Sequence, residues 1–416
     1  MALRLTRYII GVYAAAAVLA GCGNMTKTLP ASTTVATARN SKALQTERVL
    51  YSFTGMRDGS HPIAGLTLDK QGNLYGTTIL GGSAGLGTVF VLAPSSPGYQ
   101  ERVLYSFRGN PDGSSPNGGV GLDSSGTLYG TTLEGGRGYG TVFALKPSAS
   151  GYAESLIHSF DPHFYGSDGE FPYSGVIVND AGVLYGTTSA GGYGSGGIEI
   201  LTPSEYGYNR TGWNFGEGNS GMAPYGGVVL GKRGYLYGTT SKGGNGNAGT
   251  VYEVTVTGNS FPTTIHSFSG PDGASPQSSL VVDKRGMIYG TTVEGGASNA
   301  GTVFRLSRHN RAWTEAVLHS FAGSTDGSDP HGAPLLGLHG IIYGTTESGG
   351  AYGNGTVYAL TPSGTGYTKR TVYSFEGKPD GSGPMSGLIL GKNGRLFGTT
   401  ESGGSRNRGT VFEIRP

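Results

Sequence analysis

Six Asp-Gly pairs recur along the chain, at Asp58, Asp112, Asp168, Asp272, Asp326 and Asp380. Carboxylates repeated at equivalent places suit an oxygen-ligated cation such as calcium. The same pair is also a turn signal, in which the carboxylate bonds nearby backbone. The turn reading is preferred, because the pairs lack the run of alternating acids that a calcium loop uses. Neither a metal nor a cofactor is therefore expected.

Acid–base catalysis needs a side-chain set that occurs once, so irregular stretches of a periodic chain are the place to look. One such stretch runs Asp161-Pro162-His163-Phe164-Tyr165-Gly166-Ser167-Asp168. Beyond it, Glu199 stands where other repeats have Phe or Tyr, Trp213-Asn214 replaces Tyr or His followed by Ser, and Glu217-Gly218-Asn219 replaces Asp-Gly. If they converged, His163, Asp168, Glu199 and Glu217 would serve a glycan lyase or hydrolase, or a metal. Drift within one repeat is the preferred explanation. His158, His266 and His319 occupy the position of Tyr51, Tyr105 and Tyr373 and read as packed strand residues. Tyr139, Tyr193 and Tyr352, in Gly-rich loops, and Trp213 are the binding-face candidates, since exposed aromatics stack on sugars or anchor protein partners. Glu134, Glu294, Glu347 and Glu401 read as solvated loop acids on the same rim.

Cys22 carries a different chemistry. Arg4 and Arg7 precede an apolar run from Tyr8 to Leu19, too short to span a bilayer, and Leu19-Ala20-Gly21-Cys22 follows. The motif resembles the bacterial lipobox, which implies cleavage before Cys22 and acylation of its thiol and new amino terminus. Cys22 is the chain's one cysteine, which fits lipidation better than disulfide chemistry. Gly23 at the next position points to sorting to the outer membrane rather than retention in the inner one. The expected organisation is a signal peptide at 1–21, a lipidated cysteine with a flexible Thr/Ala/Ser-rich tether at 22–46, and one domain at 47–416. The full chain has 29 Lys and Arg against 27 Asp and Glu, and residues 1–21 hold two Arg and no acid, so the remainder balances. Net neutrality gives no overall electrostatic reason to bind nucleic acid or an anionic surface.

The elements that must position these residues come from a repeat. Tyr75, Tyr129, Tyr185, Tyr237, Tyr289, Tyr343 and Phe397 each precede Gly-Thr-Thr, at intervals of 54, 56, 52, 52, 54 and 54 residues. A period near 50 marks an array of small sheets. Each unit holds four strand-like runs, in the first repeat Gly65–Leu68, Leu74–Thr78, Thr88–Leu92 and Val103–Phe107, here named a to d. Seven units of four antiparallel strands predict an all-β, seven-bladed β-propeller. The ordered chain starts on a d-type run, Arg48–Phe53, and ends on a c-type run, Gly409–Ile414, so the N-terminal strand is expected to complete the last blade. Closure removes the sheet edge that invites aggregation.

The unit Asp-Gly-x-x-Pro, Gly-Leu-x-Leu-Asp, Gly-Asn-Leu-Tyr-Gly-Thr-Thr, Gly-Gly, Gly-Thr-Val-Phe, as in Asp58 to Phe90, resembles the GloVer tandem repeat of "choice-of-anchor" proteins. The resemblance covers about residues 47–416 and implies a repeat domain tethered to a bacterial envelope, here through the lipobox. It implies no catalytic residue and no ligand. The expectation is a monomeric envelope lipoprotein that binds a glycan or protein partner, not nucleic acid. A glycan-processing enzyme and a structural spacer are the alternatives.

Overall fold

The computed structural model describes residues 46–161, 168–192, 194–216, 221–256 and 261–416. Cys22 with its signal and tether, His163, Tyr193 and Glu217 lie outside the described residues. The described chain forms seven four-stranded antiparallel sheets. No helix among the described residues is long and apolar enough to cross a membrane.

Blade one shows the pattern, with strand a at Thr67–Leu68, b at Leu74–Thr78, c at Thr88–Ser95 and d at Gly98–Ser106. Strand a is shorter than expected. Strands c and d run further outward, into a hairpin whose outer residues are exposed. The a-b turns hold Gly72, Gly126, Gly182, Gly234, Gly286, Gly340 and Gly394 at positive φ, as hairpins of this length require. In blade seven the fourth strand is Thr46–Ser52, paired from Thr46↔Arg415 to Ser52↔Thr410.

The Gly-Thr-Thr phrase is explained residue by residue. A Cβ on its glycine would lie 2.6 Å from the Phe90 ring at Gly76 and 2.5 Å from the Phe143 ring at Gly130, so the glycine makes room for the strand-c aromatic. The first threonine reaches the next blade. Thr77 Oγ1 donates to Gly118 O at 3.0 Å, Thr131 to Ser174 O at 2.7 Å, and Thr399 closes the ring on Ala64 O at 3.0 Å. The second threonine ties strand b to c, as in Thr78 Oγ1 to Thr88 Oγ1 at 2.8 Å.

The apolar core lies between blades rather than inside any one. One cluster joins Phe53, Phe397 and Val411 of the last blade to Leu66, Leu74 and Phe90 of the first, and further clusters join the other neighbours. A strand-d phenylalanine meets the next blade's strand-c aromatic edge to face, as in Phe53–Phe90 at 5.1 Å and Phe375–Phe412 at 5.0 Å, a geometry ring quadrupoles favour.

Tyr252 and Tyr358 replace Phe at this strand-c position, and each buried hydroxyl lacks a hydrogen-bond partner. An unsatisfied buried hydroxyl costs about 1–3 kcal/mol. Tyr252→Phe and Tyr358→Phe are each expected to stabilise the protein by about 1 kcal/mol, read as a higher denaturation midpoint at unchanged m-value.

Candidate functional site

Every repeat places a proline just before strand a, at Pro62, Pro116, Pro172, Pro224, Pro276, Pro330 and Pro384. The residue before it is left-handed: His61, Ser115, Phe171, Ala223, Ser275 and Asp329 have φ between 54 and 58°, and Gly383 has 66°. Non-glycine residues in this region are strained and persist where their surroundings over-determine them. Here the surroundings are two hydrogen bonds. Ser115 N–H donates to Leu86 O of the preceding blade at 2.9 Å, and Ser115 O accepts from Leu133 N–H of its own blade at 3.0 Å. This pinning turns the residue after each proline toward the central axis.

That residue is not fixed by the repeat: Ile63, Asn117, Tyr173, Tyr225, Gln277, His331 and Met385 give six residue types at seven positions. All but Ile63 line a cavity of about 360 Å³ at the axis, and no Lys, Arg, Asp or Glu is among its lining residues. Tyr173 is 36% exposed and packs edge to face on Tyr225, centroids 4.8 Å apart. Asn117 Nδ2 reaches Tyr173 O at 3.5 Å, and His331 Nε2 pairs with Glu347 Oε2 at 2.9 Å. Burial, then Tyr225 and Glu134, push the Tyr173 phenol upward, so it stays a neutral donor. Below the mouth the channel continues as a second cavity of about 440 Å³ with Leu66, Val120, Val176 and Val228 in its wall. The site thus offers stacking faces, amides and backbone carbonyls above a channel whose wall mixes these aliphatics with Thr67, Ser174, Ser279 and glycine backbone.

The blade-three residues form a different arrangement. Asp168 and Glu199 are both drawn to Arg210, whose Nε lies 3.0 Å from Asp168 Oδ1 and 2.7 Å from Glu199 Oε2. His158 Nε2 is 3.2 Å from the same Asp168 oxygen, and Thr188 Oγ1 donates to Glu199 Oε1 at 3.2 Å. Burial pushes the Asp168 carboxyl up, but hydrogen bonds from His158 and the Asp161 N–H, with the charges of His158 and Arg210, hold it below the usual range. Burial raises Glu199, and Arg210 opposes that rise. Both acids are 3% exposed, so the cluster is a buried ion-pair network that presents no carboxylate to a substrate.

The Asp-Gly acids are turn residues. Asp58 accepts from Thr54 N–H at 2.7 Å and from the Tyr51 hydroxyl at 2.9 Å. Asp272 accepts from Ser269 N–H at 2.8 Å and meets His266 Nε2 at 3.0 Å, so the strand-d histidines brace these turns as well as packing on phenylalanine. No group of three or more His, Cys, Asp or Glu among the described residues is arranged to hold a metal.

At the six seams that hold an Asp-Gly turn, the neighbouring strand d adds a further group. Arg210 meets Asp168, and Lys369 Nζ sits 2.9 Å from Asp326. At the same register Glu47, Glu101, Glu154 and Glu315 face Asp380, Asp58, Asp112 and Asp272, each with Oε1 buried and unpartnered. Burial first, and the facing carboxylate second, push Glu47 up to about 8, Glu101 and Glu315 to about 7, and Glu154 to about 6. Glu376 adds to the effect on Glu47, and the Tyr51 hydroxyl partly offsets it on Glu101. Groups raised in the folded state bind more protons than in the unfolded chain, so their stabilisation is complete below about 4.5 and is lost as pH rises toward 8. The melting temperature is expected to fall by roughly a few degrees between pH 5 and 8. Glu101→Gln with Glu315→Gln should flatten that slope in a pH series of thermal melts.

Of the aromatic candidates, Tyr352 is 58% exposed on a b-c loop. Tyr139 packs against Phe171, centroids 6.1 Å apart, and Trp213 is half-buried beside the Ile198 and Phe215 cluster. The channel-mouth residues were missed at the sequence level, although a signal was present. The position directly after an unvarying proline carries six residue types in seven repeats, with only Tyr recurring.

The repeat model described as Gloeobacter/Verrucomicrobia repeat matches residues 31–211 and 193–412. Among curated proteins, none matches the chain. A solved structure from Bacteroides uniformis, described as a 6-phosphogluconolactonase, is 14% identical with TM-score 0.51, covering 80% of this chain and 88% of its own. One from Thermus thermophilus, described as an oxidoreductase (glucose dehydrogenase), is 14% identical with TM-score 0.44, covering 89% and 100%. The first likeness extends to the fold alone. With the repeat model spanning most of its length, the chain belongs to the Gloeobacter/Verrucomicrobia repeat family.

Proposed function

We propose that this protein is an envelope-tethered binding module whose ligand, a neutral glycan, seats at the mouth of the central channel. The observation that carries the reading is the ring after the prolines, where Tyr173, Tyr225, Asn117 and Gln277 converge on one cavity free of Lys and Arg. Aromatic faces suit the apolar faces of sugar rings, and amides suit hydroxyl groups. A lining without Lys or Arg favours a neutral ligand over an anionic one. The Cys22 lipobox supports tethering to the outer membrane. Burial and ion pairing of Asp168 and Glu199 favour binding over catalysis.

Glycan-array binding tests the proposal. The wild-type protein is expected to retain neutral oligosaccharides, and Tyr173→Ala with Tyr225→Ala to weaken them by about tenfold or more, about 1.4 kcal/mol. Tyr352→Ala should leave binding unchanged. Equal binding by wild type and double variant would remove the mouth as the site.

A further inference from the structure

We propose that the face opposite the channel mouth docks on an anionic lipid surface through blades four to seven. Strands alternate in direction, so the a-b turns and c-d hairpin tips share this face. The chain enters the propeller there as well, because Thr46 pairs with Arg415 at the outer end of the last strand c. If Cys22 carries lipid, the 23 residues between it and Thr46 reach at most about 80 Å, and they end on this face.

Composition follows the same geometry. The a-b turns of blades four, five and seven expose Lys232, Arg233, Lys284, Arg285 and Lys392. Their one acid is Asp283, which accepts from the N–H groups of Arg285 and Met287 at 2.8 and 2.9 Å, so five cations face one carboxylate. The corresponding turns of blades one to three instead carry Asp69, Asp123 and Asp180, with Lys70 as their one cation. Among the cations, apolar side chains point outward: Phe261 is 76% exposed, Leu338 73%, Leu230 42% and Leu390 38%. Cations interleaved with exposed aromatic and aliphatic residues are the composition of an interfacial membrane contact, in which apolar groups enter the headgroup region and Lys and Arg meet anionic lipid. A chain whose charges nearly cancel in sum thus holds a basic arc on this face. Docking it would turn the channel mouth away from the bilayer, toward soluble ligands.

The inference leans on the lipid tether only for orientation, and the test removes the lipid. The mature chain carrying Cys22→Ser is mixed at low ionic strength with vesicles of phosphatidylglycerol and phosphatidylcholine, or of phosphatidylcholine alone, and bound protein is measured by flotation. Binding to the anionic vesicles only, declining as salt rises, is the expected result. Arg233→Glu with Lys392→Glu, and separately Lys284→Glu with Arg285→Glu, should each weaken it about tenfold or more while the melting temperature stays unchanged. Phe261→Ala with Leu338→Ala should weaken binding without altering its salt dependence. No binding to anionic vesicles, equal binding to both compositions, or indifference to both charge reversals would overturn the proposal. Membrane fractionation of the wild-type chain against Cys22→Ser at high salt reports on lipidation separately.

Discussion

A chain lacking residues 1–53 is expected to lose cooperative folding. Those residues include the fourth strand of blade seven, paired along Thr410–Arg415, and Phe53, which is fully buried between the last and first blades. Phe53 packs edge to face on Phe90 and joins the cluster of Leu66, Leu74, Phe397 and Val411. Phe53→Ala alone should cost about 3–5 kcal/mol, the usual range for emptying such a site. Truncation adds the loss of every hydrogen bond in that ladder and leaves an open edge beside an uncovered apolar seam. The total is comparable to the whole stability of a typical domain, about 5–15 kcal/mol. Circular dichroism melts should show a broad, non-cooperative transition. Sedimentation should show association through the exposed edge.

The second large effect concerns the glycine of Gly-Thr-Thr. Gly130 lies under the buried Phe143 ring, and a Cβ would approach its Cζ to 2.5 Å and its Cε1 to 2.9 Å. Its φ is not in the left-handed region, so the objection to a side chain is steric rather than conformational. Gly130→Ala should therefore destabilise by about 1–3 kcal/mol, the range for overpacking a filled core. Blade three supplies the control within the same chain. Glu199 replaces the aromatic there, and a Cβ on Gly186 would meet only Val176 Cγ1, at 3.1 Å. Gly186→Ala should cost less than half as much in matched urea titrations. Adding Phe143→Leu to Gly130→Ala should recover part of the loss, a positive coupling that a double-mutant cycle measures.

Periodicity made the scaffold legible. Seven Tyr/Phe-Gly-Thr-Thr phrases at near-constant spacing, with a spare d-type run at the front, led to a closed ring that the Thr46–Ser52 pairing realises. The a-b turn glycines were legible for the same reason, since a fixed offset marks a fixed φ. What the phrase accomplishes chemically was not legible. The bond from Thr77 to Gly118 O and the ring of Phe90 over Gly76 cross between elements far apart in sequence or facing across a sheet. Arg210 was overlooked because its two partners, Asp168 and Glu199, lie on different strands and loops. Net charge concealed the basic arc because summation discards position, and strand alternation is what restores it.

Hydrogen exchange with mass spectrometry, on the protein saturated with the oligosaccharide that the array selects, tests the central claim that recognition occurs where the repeat varies and not where it recurs. Protection is predicted in the segments around Pro116–Gly119, Pro172–Gly175 and Pro224–Gly227, with the Gly-Thr-Thr strands already protected and unchanged. Protection confined to the outer b-c loops around Tyr352, or to strands c and d of blade three, would contradict the account.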